Sequence, residues 1–404
     1  MSSPDLSIVV VHHRGLEHLL ECLDGLAASK GVGTGAVETI LVDNTGGSPL
    51  DEAFRRHPAV RRVNAAGNAG FARGCRLGVE AARAPSVVFV NDDAVVLPDA
   101  LERLASALAS APEDVAAVAG RLTDRSGERN DFSDGFLTFD GHAFQSDVGK
   151  PLEALPAAVP GQERLFACGG LMAARRAAFL DSGGFDDDYF AYLEDVDFGW
   201  RQWILGRRIV AEPRALASHR GGATGEALGI YSRGFLIEKN AFATAYKNFD
   251  REHFTALMPA ILGAFLGRVG EMLAARNPGA EELSRDPYEG VGAGAGHSRP
   301  LWARLFGVRP QAGWRTALDD PLTLAHLRAL LWIHRHHAAL AGKRRAVQAR
   351  RLRPDAEIFA KFPLRLVPTY PGDERFDSDY FRDLLLGAPP LVRTSLAEIF
   401  GSRP

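Results

Sequence analysis

Three observations predict an α/β fold with a largely parallel sheet. Runs of β-formers alternate with helical periodicity from residue 6 to about 120, the rhythm of strand–helix–strand units. Two of the runs end in Val42-Asp43-Asn44 and Asn91-Asp92-Asp93, and strand C-terminal ends are where open α/β sheets bind ligands. Beyond about residue 240 the rhythm yields to long helical patterns. That shift predicts a mostly helical C-terminal region.

The elements follow in order. Leu6–Val11 reads as a strand, and Gly15–Ala28 carries Leu16, Leu19, Leu20, Leu23 and Leu26 at helical spacing. Thr39–Val42 is the next strand, Pro49–Arg56 a short helix and Val60–Asn64 extended. A helix over Ala72–Ala82, a strand over Val87–Val90, a helix over Asp99–Ala109 and an extended Val115–Gly120 complete the alternation. Residues 123–165 break it, being rich in Gly, Asp, Ser and Pro around Phe132, Phe136, Phe139 and Phe144. They form either a flap over a site or an antiparallel excursion with a small aromatic core. Phe166–Arg175 returns to a packed element, and 253–275 and 322–350 are helical, with a Gly-rich loop at Gly290–Gly296 between them. Two units are expected, an α/β domain over 1–250 and a helical region over 251–404.

Composition narrows the class. With 404 residues, 46% hydrophobic and 24% charged, the chain is an ordinary globular protein. A net charge of −3 gives no reason to expect nucleic acid as a partner. Cys22, Cys75 and Cys168 are scattered and form no Cys-x-x-Cys pair. Neither a zinc site nor a disulfide framework follows, and a reducing cytosol is the expected compartment. Leu6–Val11 follows Asp5 without a basic flank and reads as a strand rather than a leader. The apolar stretch Leu257–Gly267 contains Pro259 and ends at Arg268. It is expected to be too short for a bilayer, which needs about 20 apolar residues.

The polar stretches carry the chemistry, each with a plainer alternative. Asp43 at a strand end suits the imide N–H of a pyrimidine, while Asp-Asn-Thr-Gly is also good turn chemistry. Asn68-Ala-Gly70-Phe71-Ala72 lets backbone approach a ligand ahead of a helix, or is a tight strand-to-helix turn. No Gly-x-Gly-x-x-Gly and no P-loop occurs. Asn91-Asp92-Asp93 offers oxygen ligands to Mg²⁺ or Mn²⁺, or caps the helix after Pro98. Glu194-Asp195-Val196-Asp197 presents carboxylates at a helix start, where the macrodipole favours them and where a general base can be placed. Tyr189, Phe190 and Tyr192 before it are sugar-stacking or core residues. His219 suits a divalent ion alongside Asp93.

Together these segments resemble the inverting glycosyltransferases of family 2, over about residues 5 to 250. Ser7–Val11 matches the family's first strand, with His12-His13-Arg14 replacing its usual turn. Val42-Asp43-Asn44 matches the nucleobase-binding Asp, and Asn68 with Gly70 the Asn-x-Gly-Phe-Ala segment. Asn91-Asp92-Asp93 fills the Asp-x-Asp position with Asn first, which leaves Asp93 as the better metal ligand. Cys168-Gly169-Gly170 resembles the strand ahead of the acceptor site, Glu194-Asp195 matches the region of the base, and His219 the late metal ligand.

The resemblance implies a GT-A fold, with a Rossmann-like, largely parallel sheet and flanking helices. Asp195 is implied as the base with Glu194 beside it. Asp43, Asn68, Gly70, Asp92 and Arg201 are implied for the nucleotide sugar, and Asp93 and His219 for Mg²⁺ or Mn²⁺. Arg201 has two expected roles, orienting Asp195 or contacting phosphate. The pattern is most similar to bacterial rhamnosyltransferase-like enzymes of surface polysaccharide synthesis, with galactofuranosyltransferases as the alternative. A single hexose from a UDP- or dTDP-sugar would pass to a glycan or polyprenyl-linked acceptor. Trp200-Arg201-Gln202-Trp203 differs from the Gln-x-x-Arg-Trp of processive synthases, so one addition is expected rather than polymerisation.

Two rivals are a nucleotidyltransferase, for which His12-His13-Arg14-Gly15 is a poor triphosphate loop, and a nucleotide-sugar-binding protein without transfer. The C-terminal run Arg335, Lys343, Arg344, Arg345, Arg350, Arg351 and Arg353, beside His334, His336 and His337, follows apolar Leu324, Leu327, Leu330, Leu331 and Ile333. It reads either as a solvated helix face or as a contact with an anionic membrane surface, peripheral on the cytoplasmic side.

Overall fold

The computed structural model describes residues 4–29, 37–47, 49–221, 223–275 and 321–400. The chain runs β1 (Leu6–His12), α1 (Leu16–Ala28), β2 (Val37–Asp43), α2 (Asp51–Arg56), β3 (Arg61–Asn64), α3 (Gly70–Ala81), β4 (Ser86–Asn91), β5 (Ala94–Val96), α4 (Ala100–Ser110) and β6 (Val115–Thr123). It continues through β7 (Asn130–Phe132), β8 (Gly135–Leu137), β9 (Ala143–Gln145), β10 (Glu163–Arg164), β11 (Leu171–Arg175), α5 (Arg176–Asp181), α6 (Glu194–Ile204) and β12 (Arg208–His219). The long helices α7 (Ala223–Asn248), α8 (Arg251–Ala275) and α9 (Pro321–Ala349) and the short α10 (Asp355–Lys361) follow.

The main sheet has the order β10-β12-β6-β11-β4-β1-β2-β3. The pairs β3–β2, β2–β1 and β1–β4 are parallel, as is β6–β12, while β11 runs antiparallel between β4 and β6. The fold is thus the expected α/β sheet with a helical C-terminal region. All seven residues of β1 are buried, as an apolar strand covered on both faces must be. Edge strand β3 alternates half-buried with exposed residues. Helix α3 lies close on the sheet because a Cβ at Gly78 would sit 2.3 Å from Val9 Cγ1.

Residues 123–165 take the second of their two expected forms. β7 adds antiparallel to β6, and β8–β9 is a hairpin with Phe136 stacked on Phe144 at 5.9 Å. Phe139 meets Phe376 and Phe381 edge-on at 5.6 and 5.9 Å, so the excursion is fastened to the C-terminal region. The expected loop at 290–296 lies outside the described residues.

The C-terminal helices share the core of the sheet. Leu257, Ala260, Ile261 and Ala264 of α8 belong to one hydrophobic cluster with Val210, Trp200 and Phe359. Leu340 of α9 joins the other, with Phe179, Phe185 and Phe198. At the junction Asp250 and Asp355 each cap the other's backbone N–H, at 2.6 and 3.0 Å, and Asp355 also accepts from Trp200 Nε1 at 3.1 Å.

Helix α8 corrects one expectation. Pro259 does not end it, and Arg251–Met272 is long and apolar enough to cross a bilayer by length and composition, with 44% of its apolar window buried. Arg268, which closed the apolar run in the sequence, turns inward between Asp140 and Asp373 at 2.9 and 2.7 Å.

Most of the basic run is engaged in contacts within the chain, with Arg350 paired at the surface. Lys343 pairs with Asp186 and Asp188, Arg344 donates to the Tyr246 and Phe249 carbonyls, Arg350 pairs with Asp181, and Arg351 with Asp355. Arg353 donates to the carbonyls of Gly206 and Arg207, at 2.9 and 2.8 Å.

Candidate active site at the sheet edge

β1, β2 and β4 end, and β11 begins, at one edge of the sheet, because β11 is antiparallel to its neighbours. His219 closes β12 opposite Ala94 of β5, at the same edge. The polar stretches that punctuate the sequence therefore converge.

Asp93 and His219 form the centre. Asp93 Oδ1 lies 3.0 Å from His219 Nε2, and Asn91 Nδ2 lies 3.2 Å from the same nitrogen. His219 Nδ1 is 2.6 Å from Asp131 Oδ2. A carboxylate on Nδ1 fixes ring orientation and leaves Nε2 for the ligand position, the arrangement typical of metal-bound histidine. One carboxylate oxygen and one imidazole nitrogen at this spacing suit Mg²⁺ or, better, Mn²⁺. Burial opposes the charge on His219, but the bonds to Asp131 and Asp93 raise its pKa to about 10. Burial likewise opposes the charge on Asp93, and His219 outweighs it, holding the carboxyl below its ordinary range.

Asp92 faces elsewhere. Its Oδ2 takes Nδ1 of the buried His12 at 2.6 Å, and burial pushes its carboxyl up against the pull of His12. Asp43 is the hub of a turn. Its Oδ1 accepts from Thr45 N at 3.0 Å and Thr45 Oγ1 at 2.7 Å, and its Oδ2 from Nε and Nη2 of Arg62. These partners outweigh burial and lower its pKa. A carboxylate has about four acceptor positions, and all are taken here. Asn68 Oδ1 accepts from Asn44 Nδ2 and Gly70 N, both at 3.1 Å. Gly70 has φ +83°, and a Cβ there would lie 2.5 Å from the Phe190 carbonyl.

Glu194 and Asp195 open α6. Asp195 is half-buried, its Oδ2 accepting from Gly169 N at 3.0 Å and its Oδ1 from Val196 N at 2.8 Å. The next residue, Gly170, accepts from Asn91 N at 3.1 Å. Asp195 is thus joined through Gly169–Gly170 to the strand that leads into Asp93. Burial pushes the Asp195 carboxyl up and its N–H partners pull it down, with burial prevailing. Glu194 is 6% exposed, and its Oε2 has no partner among the described residues. Burial and then the neighbouring Asp195 raise its carboxyl well above the ordinary value. Of the two, Asp195 is the more exposed carboxylate.

Arg201 is a correction. It is buried, donating to Asp197 Oδ2 at 2.9 Å and to the Ser182 and Gly184 carbonyls at 2.6 Å. It faces away from Asp195 because i,i+4 spacing on α6 pairs it with Asp197 instead. Four of its five N–H donors go to these groups and the side chain is buried, so neither phosphate contact nor orientation of Asp195 falls to it.

His12 and Asp131 were not among the expected site residues. The rule that ligands gather at strand ends applies to His12 as it does to Asp43. Asp131 lies in the irregular excursion, where no periodic signal marks it.

Residues 7–183 match the family model described as Glycosyl transferase family 2. The matched span includes Asp43, Asn68, Gly70 and Asn91–Asp93, and ends before Glu194, Asp195 and His219. The chain is 24% identical over 206 residues to the low-salt glycan biosynthesis hexosyltransferase Agl10 of Haloferax volcanii, a span of 49% of this chain and 61% of that protein. It is 43% identical over 58 residues to the N-acetylglucosaminyl-diphospho-decaprenol L-rhamnosyltransferase of Mycobacterium tuberculosis, 14% of this chain and 19% of the relative. Among solved structures, GalNAc-T7 with UDP, GalNAc and Mn²⁺ aligns at TM-score 0.49 and 15% identity over 65% of this chain and 52% of that one. The Pyrobaculum calidifontis mannosyltransferase PcManGT with GDP-Man and Mn²⁺ aligns at 0.46 and 17%, over 82% and 87%. Residues 7–183, somewhat under half of the chain, thus form a domain similar to glycosyl transferase family 2.

Proposed function

We propose that the chain is an inverting glycosyltransferase. It moves one sugar, rhamnose or another hexose, from a UDP- or dTDP-sugar to a hydroxyl of a glycan or polyprenyl-linked acceptor in surface polysaccharide synthesis. The observation that carries this reading is the joining of Asp195, through Gly169–Gly170 and Asn91, to the Asp93–His219 pair at one sheet edge. The names of the hexosyl- and rhamnosyltransferase relatives support the substrate class.

Asp195 takes the proton of the acceptor hydroxyl as its oxygen bonds to the anomeric carbon. The bond from that carbon to the diphosphate oxygen breaks on the opposite side, so the configuration inverts. The N–H groups of Gly169 and Val196 hold the Asp195 carboxylate in place for the transfer. Asp93 Oδ1 and His219 Nε2 would hold Mg²⁺ or Mn²⁺, which when bound supplies Lewis-acid stabilisation of the departing diphosphate. Asn68 and the backbone at Gly70 face the donor, and Asp43 reads the nucleobase imide once Arg62 swings clear. Arg62 is 44% exposed on a long side chain, and the movement gives up its ion pair with Asp43 and its contact with the Phe54 ring.

A polyprenyl-linked acceptor implies work at the cytoplasmic face of a membrane. Leu262 and Leu266 of α8, Leu327 and Leu331 of α9, and the exposed Arg335 and Arg345 are the residues for that contact.

The test is release of nucleoside diphosphate from UDP- and dTDP-sugars with Mn²⁺ or Mg²⁺ present. Wild type should release it, and Asp195→Asn should lose about 10²–10⁴-fold in rate while calorimetry shows donor still bound. Donor binding without turnover in wild type would favour the binding-protein reading instead.

A further inference from the structure

The segment that delivers Asp195 is strained. Phe190, Tyr192 and Leu193 have φ of 64°, 69° and 64°, the left-handed region that side chains avoid. None is glycine. Such a run persists only where the surroundings over-determine it, and such positions cluster at functional sites. Leu193 is the residue from which α6 starts, with Glu194 and Asp195 in its first turn. The direction of Asp195 therefore depends on what holds residues 189–193.

On the α7 side, one residue makes three of the hydrogen bonds to this loop. Asn240 is fully buried, and its Nδ2 donates to the carbonyls of Tyr189, Ala191 and Tyr192 at 3.1, 2.9 and 2.7 Å. Three carbonyls converging on one amide fix its orientation, since the flipped amide would place an oxygen against all three. Among the described residues Asn240 Oδ1 has no partner, and the hydrogen bonds this side chain makes go to the loop. One turn along α7, Thr244 Oγ1 meets the Tyr189 hydroxyl at 2.7 Å. Beyond it Lys247 pairs with Asp186 and Asp197 at 2.8 and 2.9 Å.

The opposite side of the loop rests on the donor segment. The Phe190 carbonyl accepts from Ala72 N at 3.1 Å and sits where a Cβ on Gly70 would be. The loop is gripped by α7 on one side and by Gly70–Ala72 on the other.

We propose that Asn240 is a positioning residue. It holds the left-handed loop so that Asp195 faces the acceptor hydroxyl, and it braces that loop against the segment that approaches the donor. This rests on the reading of Asp195 as the base. The role is one of geometry, since Asn240 has no path to the reacting atoms except through the loop backbone.

Asn240→Ala removes all three bonds and Asn240→Ser keeps a single hydroxyl donor. Thr244→Val is the control, because it removes a bond to Tyr189 alone. The expected result is a fall in kcat of about 10–100-fold for Asn240→Ala, less for Asn240→Ser, with the dissociation constant for UDP unchanged within about twofold. Hydrogen exchange should rise at the amides of residues 191–196 in Asn240→Ala, with exchange in β1 and β4 unaltered. Thr244→Val should keep kcat near wild type.

Unchanged kcat with unchanged exchange, or a loss of rate in step with the loss of folded protein, would overturn the proposal. If Asn240→Ala does not fold, Asn240→Ser carries the same comparison. Wild type and Asp195→Asn are run alongside. An Asp195→Asn variant as active as wild type would refute the base assignment, whereas a dead Asp195→Asn with a fully active Asn240→Ala would refute only the role of Asn240. The exchange readout stands independently of any activity.

Discussion

Glu194 and Asp195 are adjacent, yet their surroundings give them different properties. Asp195 has two N–H partners and partial exposure, while Glu194 is buried with one oxygen unpartnered among the described residues. The Glu194 carboxyl is raised in the folded state, so the folded chain keeps that proton at a pH where the unfolded chain has lost it. Folding is therefore penalised at neutral pH, and the penalty grows as pH rises above the unfolded value of about 4.3. Glu194→Gln should raise the thermal midpoint at pH 7, with the gain vanishing below about pH 4. Melts across that range check it, and an equal gain at every pH would point to packing instead.

At the same scale, Asp93→Ala should weaken Mn²⁺ binding and UDP binding together, because an ion shared between protein and phosphates couples the two. Asp131→Asn should weaken Mn²⁺ by about 10–100-fold, the usual effect of losing the partner that orients a ligating histidine. Calorimetry with and without Mn²⁺ measures both. Metal-independent UDP binding in wild type would remove Asp93 and His219 from this role.

Among the elements, two turn-like segments control how their neighbours are aimed. The turn into α3 is shaped by Gly70, whose φ of +83° and approach to Phe190 exclude a side chain. Gly70→Ala should cost at least about 1–2 kcal/mol from the left-handed backbone alone. Because the displaced atom is the Phe190 carbonyl, kcat should fall as well as stability. A thermal melt with steady-state kinetics separates the two, and a destabilised variant with full kcat would show that the loop tolerates the shift. The strained stretch 190–193 matters for the same reason, since helix α6 inherits its direction from it.

Across the molecule as a whole, the C-terminal region closes the core rather than hanging from it. The reciprocal caps of Asp250 and Asp355 join α8 to α10, and Asp355 also receives Trp200 Nε1 and Arg351 Nη1, at 3.1 and 3.0 Å. Asp355→Ala would leave several buried donors unpaired, each worth about 1–3 kcal/mol. A loss of stability on the order of 3 kcal/mol is expected in urea unfolding, and a loss under about 0.5 kcal/mol, the range of ordinary surface changes, would mean the junction is not structural. A second buried network links Asp140, His142, Glu238 and Arg268. Burial disfavours the His142 charge, but Asp140 and Glu238 raise its pKa to about 10. Its stabilisation is complete below the unfolded value of about 6.5 and is lost as pH rises through the folded value.

The strand–helix alternation, the parallel half of the sheet and the polar strand ends are legible in the chain itself, because those features are local. The β-forming run Leu6–Val11 and the leucine spacing of α1 fix what each segment is without reference to any other. The placement of Asp93 and His219 at one edge is legible too, through the rule for strand termini and the family resemblance. Which side chains keep free atoms is settled only by the folded neighbours. Arg201 looked available and is consumed by Asp197 and two carbonyls, and Lys343 and Arg344 looked like surface charge and hold the loop and helix beside them. Asp131 and Asn240 carry no periodic or motif signal, since their partners lie 88 residues away at His219 and 48–51 residues away at Tyr189–Tyr192. Hydrogen-bond saturation is a property of three-dimensional neighbours, and a linear pattern of residue types does not encode it.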